Sequence, residues 1–233
     1  MITLSEIALA LFLVADFILA GASRLRSAVR FVAMQGLVVG ILPIFMWNWA
    51  EEGCPGARVW IIAFVNALVK GVVLPLLLMY AVRKARTRRE LEPIVSFPIS
   101  QIIVFFVAIG AFIVGRLLHV HASSASELAV PVALTTMGTG LLLICGRKKA
   151  ITQVLGFLIL ENGISVFGAA ILLEYGIIVE LGILLDVFAL VFILGIAVFQ
   201  ISRTFDSTDT DKLNHLGDTH LMHPHHQHDH VHA

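Results

Sequence analysis

The chain is poor in charge and poor in cysteine. Only 14% of its 233 residues are Asp, Glu, Lys or Arg, while 58% are apolar; a soluble domain is roughly a quarter charged and about half apolar. An ordinary water-soluble enzyme is therefore excluded. Sixteen basic residues balance sixteen acidic ones, so no net basic field argues for nucleic acid as a partner. Two cysteines, Cys54 and Cys145, are too few for a disulfide framework or a thiolate metal site. The sequence offers no cysteine set for an iron-sulfur cluster, no well-placed glycine-rich phosphate loop and no nucleophile-base pair. The chain is expected not to be an enzyme on its own and to bind no cofactor. The opening Met1-Ile2-Thr3-Leu4-Ser5-Glu6 has no basic stretch and no evident cleavage site, so the apolar run that follows reads as a membrane helix, not a removed signal.

What the chain does have is long apolar runs. A spanning helix needs about 20 mostly apolar residues to cross about 30 Å of hydrocarbon. Seven runs qualify, at roughly 3–22, 31–50, 59–82, 99–118, 128–146, 150–173 and 177–202. They lack the strict alternation of barrel strands, and a lone helix satisfies its own backbone in lipid. The expected fold is an all-α, polytopic membrane protein with seven transmembrane helices. Its expected segments are membrane helices one to four (1–127), membrane helices five to seven (128–202) as a compact unit, and a disordered tail (203–233) with almost nothing to bury.

Charge then orients the spans. With loops assigned alternately to two sides, Arg24, Arg26, Arg30, Arg83, Lys84, Arg86, Arg88, Arg89, Arg147, Lys148, Lys149, Arg203 and Lys212 share one side, thirteen of the sixteen basic residues. The other side has Arg58 and Arg116 against Glu51, Glu52, Glu127 and Glu174. Basic excess marks the cytoplasmic side, which puts the amino terminus outside and the carboxyl terminus in the cytoplasm of a multi-pass protein of the cell's inner membrane. Cys54 and Cys145 then lie at opposite faces and cannot pair. Trp47, Trp49 and Trp60 flank an outer loop as an aromatic belt.

Four ionisable residues fall at membrane depth: Lys70 and Glu161 at the centres of spans three and six, Asp16 in the inner half of span one, and Asp186 in the outer half of span seven. Such residues are expensive in hydrocarbon, face protein or water, and have a task. Ser165 and Gly168 share the face of Glu161, which suits close helix packing and points the carboxyl inward. Gly182 stands one turn before Asp186. Asn66 is one turn before Lys70, and Pro75 is expected to leave the Gly71 carbonyl without its helical donor and to kink the span. Buried carboxyls and amines can exchange protons near neutral pH, so the expected proton path is Glu161, Asp186, Lys70 and Asp16. A purely structural alternative has Lys70 pairing with Asp16 or Glu161 to hold the bundle together. Arg116 with His119 and His121 reads as a solvated helix end.

Eight of the ten histidines lie in the last nineteen residues: His215, His220, His223, His225, His226, His228, His230 and His232. His223, His225, His226, His228, His230 and His232 are the candidate ligands for a divalent metal. They are interspersed with Pro224, Gln227, Asp229 and Val231, unlike a simple purification tag.

A basic cytoplasmic loop, a helix with a central glutamate, a short outer turn and a last helix with an acid form a familiar order. Spans five to seven resemble the K-type (4L) small membrane subunit of complex I. The whole chain resembles hydrogenase-4 component E of group 4 nickel-iron hydrogenases and formate hydrogenlyase-type complexes. Arg147-Lys148-Lys149 takes the place of the basic loop, Gly156-Phe157-Leu158-Ile159-Leu160-Glu161 that of the segment ending in the first buried glutamate, and Asp186 that of the second acid. Ile159 stands where related subunits commonly have glycine. The resemblance implies a non-catalytic subunit beside antiporter-like membrane subunits and a hydrogenase peripheral arm, with the nickel-iron centre and iron-sulfur clusters in those partners. The expected function is proton translocation coupled to redox chemistry. The alternatives are a structural membrane anchor for the arm and an independent cation or metal transporter. A retinal protein is disfavoured because span seven has no lysine.

Overall fold

The structure is a computed structural model that describes residues 4–45, 53–84, 94–117, 127–171 and residue 195. The described residues form helices and connecting turns: α1 (Leu4–Ala20), α2 (Leu25–Phe45), α3 (Ala57–Leu68), a π turn (Val69–Val73), α4 (Leu74–Lys84), α5 (Phe97–Leu117), α6 (Ala129–Gly146) and α7 (Ala150–Ile171). Five spans among them are long and apolar enough to cross a membrane: Leu25–Phe45, Val59–Tyr80, Phe97–Leu117, Ala129–Gly146 and Ile151–Ala170. α1, at 17 described residues, is shorter. The seventh expected span, Asp186 within it and the histidine-rich tail lie outside the described residues.

The helices are apolar on both sides, as lipid requires. α1 buries Ala8, Leu9, Phe12, Ala15, Asp16 and Leu19 at helical spacing, while Leu4, Ile7, Leu11, Val14 and Ile18 are exposed. In water that outer face would be a liability; in a bilayer it is the surface that lipid covers. α5 is the most peripheral helix, with Ile102, Phe105, Phe106, Ile109 and Ile113 outside and Val104, Ala108 and Ala111 inside.

Lipid removes most of the hydrophobic drive between helices, so close packing has to replace it. α6 and α7 meet at glycines. A Cβ on Gly140 would lie 2.5 Å from the Leu160 nitrogen and 2.8 Å from the Gly156 carbonyl oxygen, and a Cβ on Gly156 would be 2.8 Å from the Gly140 oxygen. Backbone touches backbone there. On α2, a Cβ at Gly36 would collide with the carbonyl of Lys70.

Span two differs from its expected limits. The helix begins at Leu25, not at 31, and is described as far as Phe45; Arg26 and Arg30 are good helix formers that stay exposed while Leu25, Ala28, Val29 and Val32 turn inward. Basic residues read as a loop are the first turns of a helix. Span three differs as well. Pro75 neither breaks nor ends it; the helix widens to π spacing just before the proline, with Leu74 N–H donating to the Val69 carbonyl.

The bundle has two apolar clusters along its length. One gathers Leu19, Leu25, Val29, Val32, Leu74, Leu78, Leu143, Ile151, Leu155 and Ile159; the other gathers Leu9, Phe12, Val39, Leu42, Val130, Val132, Ala133, Val166 and Ala170. Each draws residues from both sides of the 127/128 boundary. The amino-terminal helices and α6–α7 therefore share their cores.

Candidate functional site

The two clusters leave a gap on every helix that joins both. On α1 the gap between Phe12 and Leu19 holds Asp16; on α2, between Val32 and Val39, Gln35; on α6, between Ala133 and Leu143, Thr136; on α7, between Ile159 and Val166, Glu161. Lys70 lies in the π turn, one turn before Leu74. These side chains form one polar layer inside an apolar bundle. Asp16 and Thr136 are fully buried, Gln35 and Glu161 1% exposed and Lys70 5%.

The layer contains two hydrogen-bonded groups. In the first, Lys70 Nζ is 3.1 Å from Glu161 Oε1 and donates to Ser165 Oγ at 2.6 Å. Ser165 in turn donates to the Glu161 main-chain carbonyl at 3.0 Å. Glu161 and Ser165 are one turn apart on α7, so a single ammonium reaches both. Lys70 enters the bundle from the π turn, and Asn66, one turn before it, is half-buried. In the second group, Gln35 Nε2 donates to Asp16 Oδ1 at 2.9 Å and Thr136 Oγ1 donates to Asp16 Oδ2 at 2.7 Å.

Backbone contacts tie the groups together. Gly36, next to Gln35, abuts the Lys70 carbonyl, and Gly163, two residues after Glu161, abuts the main chain of Met137, next to Thr136. Of the four residues read as a proton path, Lys70 and Glu161 are thus in contact, Asp16 lies at the same level with other partners, and Asp186 lies outside the described residues. The six candidate metal ligands, His223, His225, His226, His228, His230 and His232, lie outside them too. Among the described residues no three His, Cys, Asp or Glu side chains come together as a metal site.

Reading only ionisable residues missed Gln35 and Thr136. Their signal was present: a glutamine inside span two, and the Thr135-Thr136 pair with Thr139 inside span five, all buried. Arg147 was missed differently. Read as part of a basic loop, it is 2% exposed. Its guanidinium donates to the Ala20 carbonyl at 3.2 Å and the Val95 carbonyl at 3.4 Å, and lies 4.7 Å over the Phe97 ring. Burial pushes its pKa down from the ordinary value. It ties the ends of α1 and α6 to the segment before α5, where Ile94 N–H also bonds the Gly146 carbonyl at 2.9 Å. Its neighbours Arg24, Arg26, Arg30 and Lys148 are exposed at this end. Cys54 and Cys145 are free and exposed.

The uncharacterized protein Rv0085 of Mycobacterium tuberculosis (strain ATCC 25618 / H37Rv) is 32% identical to this chain over 198 residues, covering 83% of the chain and 87% of that protein. The chain belongs to its family. No protein-family profile matches the chain, and no solved structure matches it.

Proposed function

We propose that the chain is a membrane subunit that couples proton movement to redox chemistry carried out by partner subunits of an energy-converting hydrogenase-type complex. The observation that carries this reading is the Lys70–Glu161 pair, 3.1 Å apart and withdrawn from solvent between two apolar clusters. In this reading Glu161 accepts and releases protons, and Lys70 biases its charge state through space. Asp16 is a second proton-binding group, and Asp186 extends the path outward. The π turn beside a proline suits a segment that changes geometry during turnover, since such turns concentrate at functional sites. The chain adopts seven spans, with the basic end in the cytoplasm facing the peripheral arm. Antiporter-like subunits lie beside it, and the nickel-iron and iron-sulfur centres reside in the partners. The resemblance of Gly156–Glu161 and the following acid to the small complex I subunit supports this placement.

The test is Glu161→Gln in native membranes, with two readouts: the amount of assembled complex and the protons taken up per electron transferred. The expected result is a lowered proton ratio in whatever complex assembles. Undiminished proton uptake per electron would remove Glu161 from the path.

A structural-anchor reading is favoured by one feature, the Arg147 clasp on the ends of three helices. It expects Glu161→Gln to lower the amount of complex and leave the ratio unchanged.

A further inference from the structure

We propose that Asp16 and Thr136 form a proton-holding pair in which the Thr136 hydroxyl is a two-position switch. This rests on the proton-coupling reading above and adds the residues that let one buried carboxyl exist in both charge states. A threonine hydroxyl has a single hydrogen. That of Thr136 has two acceptors in reach, Asp16 Oδ2 at 2.7 Å and the Val132 carbonyl at 2.9 Å. Thr135 and Thr139 on the same helix bond the carbonyls of Pro131 and Thr135 at 2.8 and 2.9 Å and meet no carboxylate among the described residues. Only Thr136 has the choice.

The exchange is balanced by one proton. With Asp16 ionised, the Thr136 hydrogen points to Oδ2 and Gln35 Nε2 supplies the donor to Oδ1 at 2.9 Å. When a proton arrives along the path, an O–H bond forms at Oδ2. Its hydrogen turns to Thr136 Oγ1, and the Thr136 hydrogen rotates to the Val132 carbonyl. The carboxyl goes from negative to neutral, every hydrogen keeps an acceptor, and no heavy atom has to move. Release reverses each step.

Gln35 supports the same reading independently. Its Oε1 is buried with no hydrogen-bond partner, a state that normally needs a reason. The same terminal amide bonds Asp16, so a half-turn of that amide would present Oε1 to a hydrogen on Oδ1, a second place for the one proton beside Oδ2. The surroundings leave both charge states open. α1 packs against α2, α5 and α6; α2 brings Gln35 and α6 brings Thr136, both uncharged, and α5 brings Gln101 to Gly21, more than a turn away. Lys70, from the π turn, is paired with Glu161 of α7. Arg147, just past the end of α6, reaches α1 at the Ala20 carbonyl, one turn from Asp16, and no ion pair to Asp16 forms among the described residues.

The experiment uses the full chain in lipid and records infrared difference spectra between acidic and alkaline buffer, with Asp16→Asn to assign the Asp16 carboxyl band. The expected result is a protonated-carboxyl band that disappears in D16N, shifts in Thr136→Val and returns to its original place in Thr136→Ser. In native membranes T136V should slow proton uptake about tenfold, the factor that one lost charge-assisted hydrogen bond carries, and T136S should restore it to within about twofold. An Asp16 band absent at every pH, or one indifferent to T136V, overturns the pair. If that happens while E161Q still lowers the proton ratio, the proposed function stands without it. If the band behaves as expected while E161Q leaves the ratio unchanged, the pair stands and the role of Glu161 falls.

Discussion

Replacing Lys70 by Met or Glu161 by Gln, singly and together, tests the central contact of the polar layer. Opposite unit charges 3.1 Å apart attract by about 5 kcal/mol at an effective dielectric of about 20. Desolvation offsets much of that, so the pair as a whole contributes little net stability. The two single variants are a different matter. Each removes one member of the pair and leaves the other charge buried without this counter-ion, and is expected to lose about 3–5 kcal/mol. The double variant removes both charges and is expected to lose less than either single variant, so the coupling energy is at least as large as a single loss, about 3–5 kcal/mol. The assay is chemical unfolding in detergent micelles, followed by the helical signal across all four members of the cycle. Single losses that simply add, within about 0.5 kcal/mol, would mean that the two side chains do not share a charge-compensated contact, and the account of the layer would fail at its centre.

Three further outcomes follow from the packing. Gly140→Ala places a methyl 2.5 Å from the Leu160 nitrogen and should lose about 1–3 kcal/mol in the same unfolding assay; Gly110→Ala, which meets nothing within 4 Å, should be neutral or stabilising by up to about 1 kcal/mol. Arg147→Ala should lower the thermal midpoint, with a loss of about 2–4 kcal/mol, and Arg147→Lys should recover less than half of it, because an ammonium cannot serve two carbonyls and a ring with one planar fork. A membrane-impermeant maleimide applied to intact cells should label Cys54 and spare Cys145, with the reverse in inverted vesicles; labelling of both from one side would overturn the proposed orientation.

The apolar runs were legible because lipid imposes a simple rule: each span must satisfy its own backbone, and that requires a length and composition that can be counted along the chain. Buried charge was equally legible for Lys70, Glu161 and Asp16, since an ionisable group at that depth is rare enough to be noticed by itself. Helix starts were less so. Arg26 and Arg30 are compatible with either a loop or an exposed helix face, and only the inward turn of Leu25, Ala28 and Val29 decides between them. The π turn before Pro75 could not be read either, because how a helix takes up a missing donor depends on what packs against it. Here Gly36 brings α2 onto the Lys70 carbonyl.

By itself, the sequence determined that this is a helical chain for an apolar solvent and that a few ionisable side chains lie inside it; both follow from composition and from position along single helices. Which side chains meet was decided by the tertiary structure alone. Lys70 is paired with Glu161, 91 positions further along the chain, and Asp16 with Gln35 and Thr136 from two other helices. The same single-helix periodicities are compatible with many neighbours, and the choice among them is made where glycines let backbones touch and two apolar clusters close above and below a common polar layer.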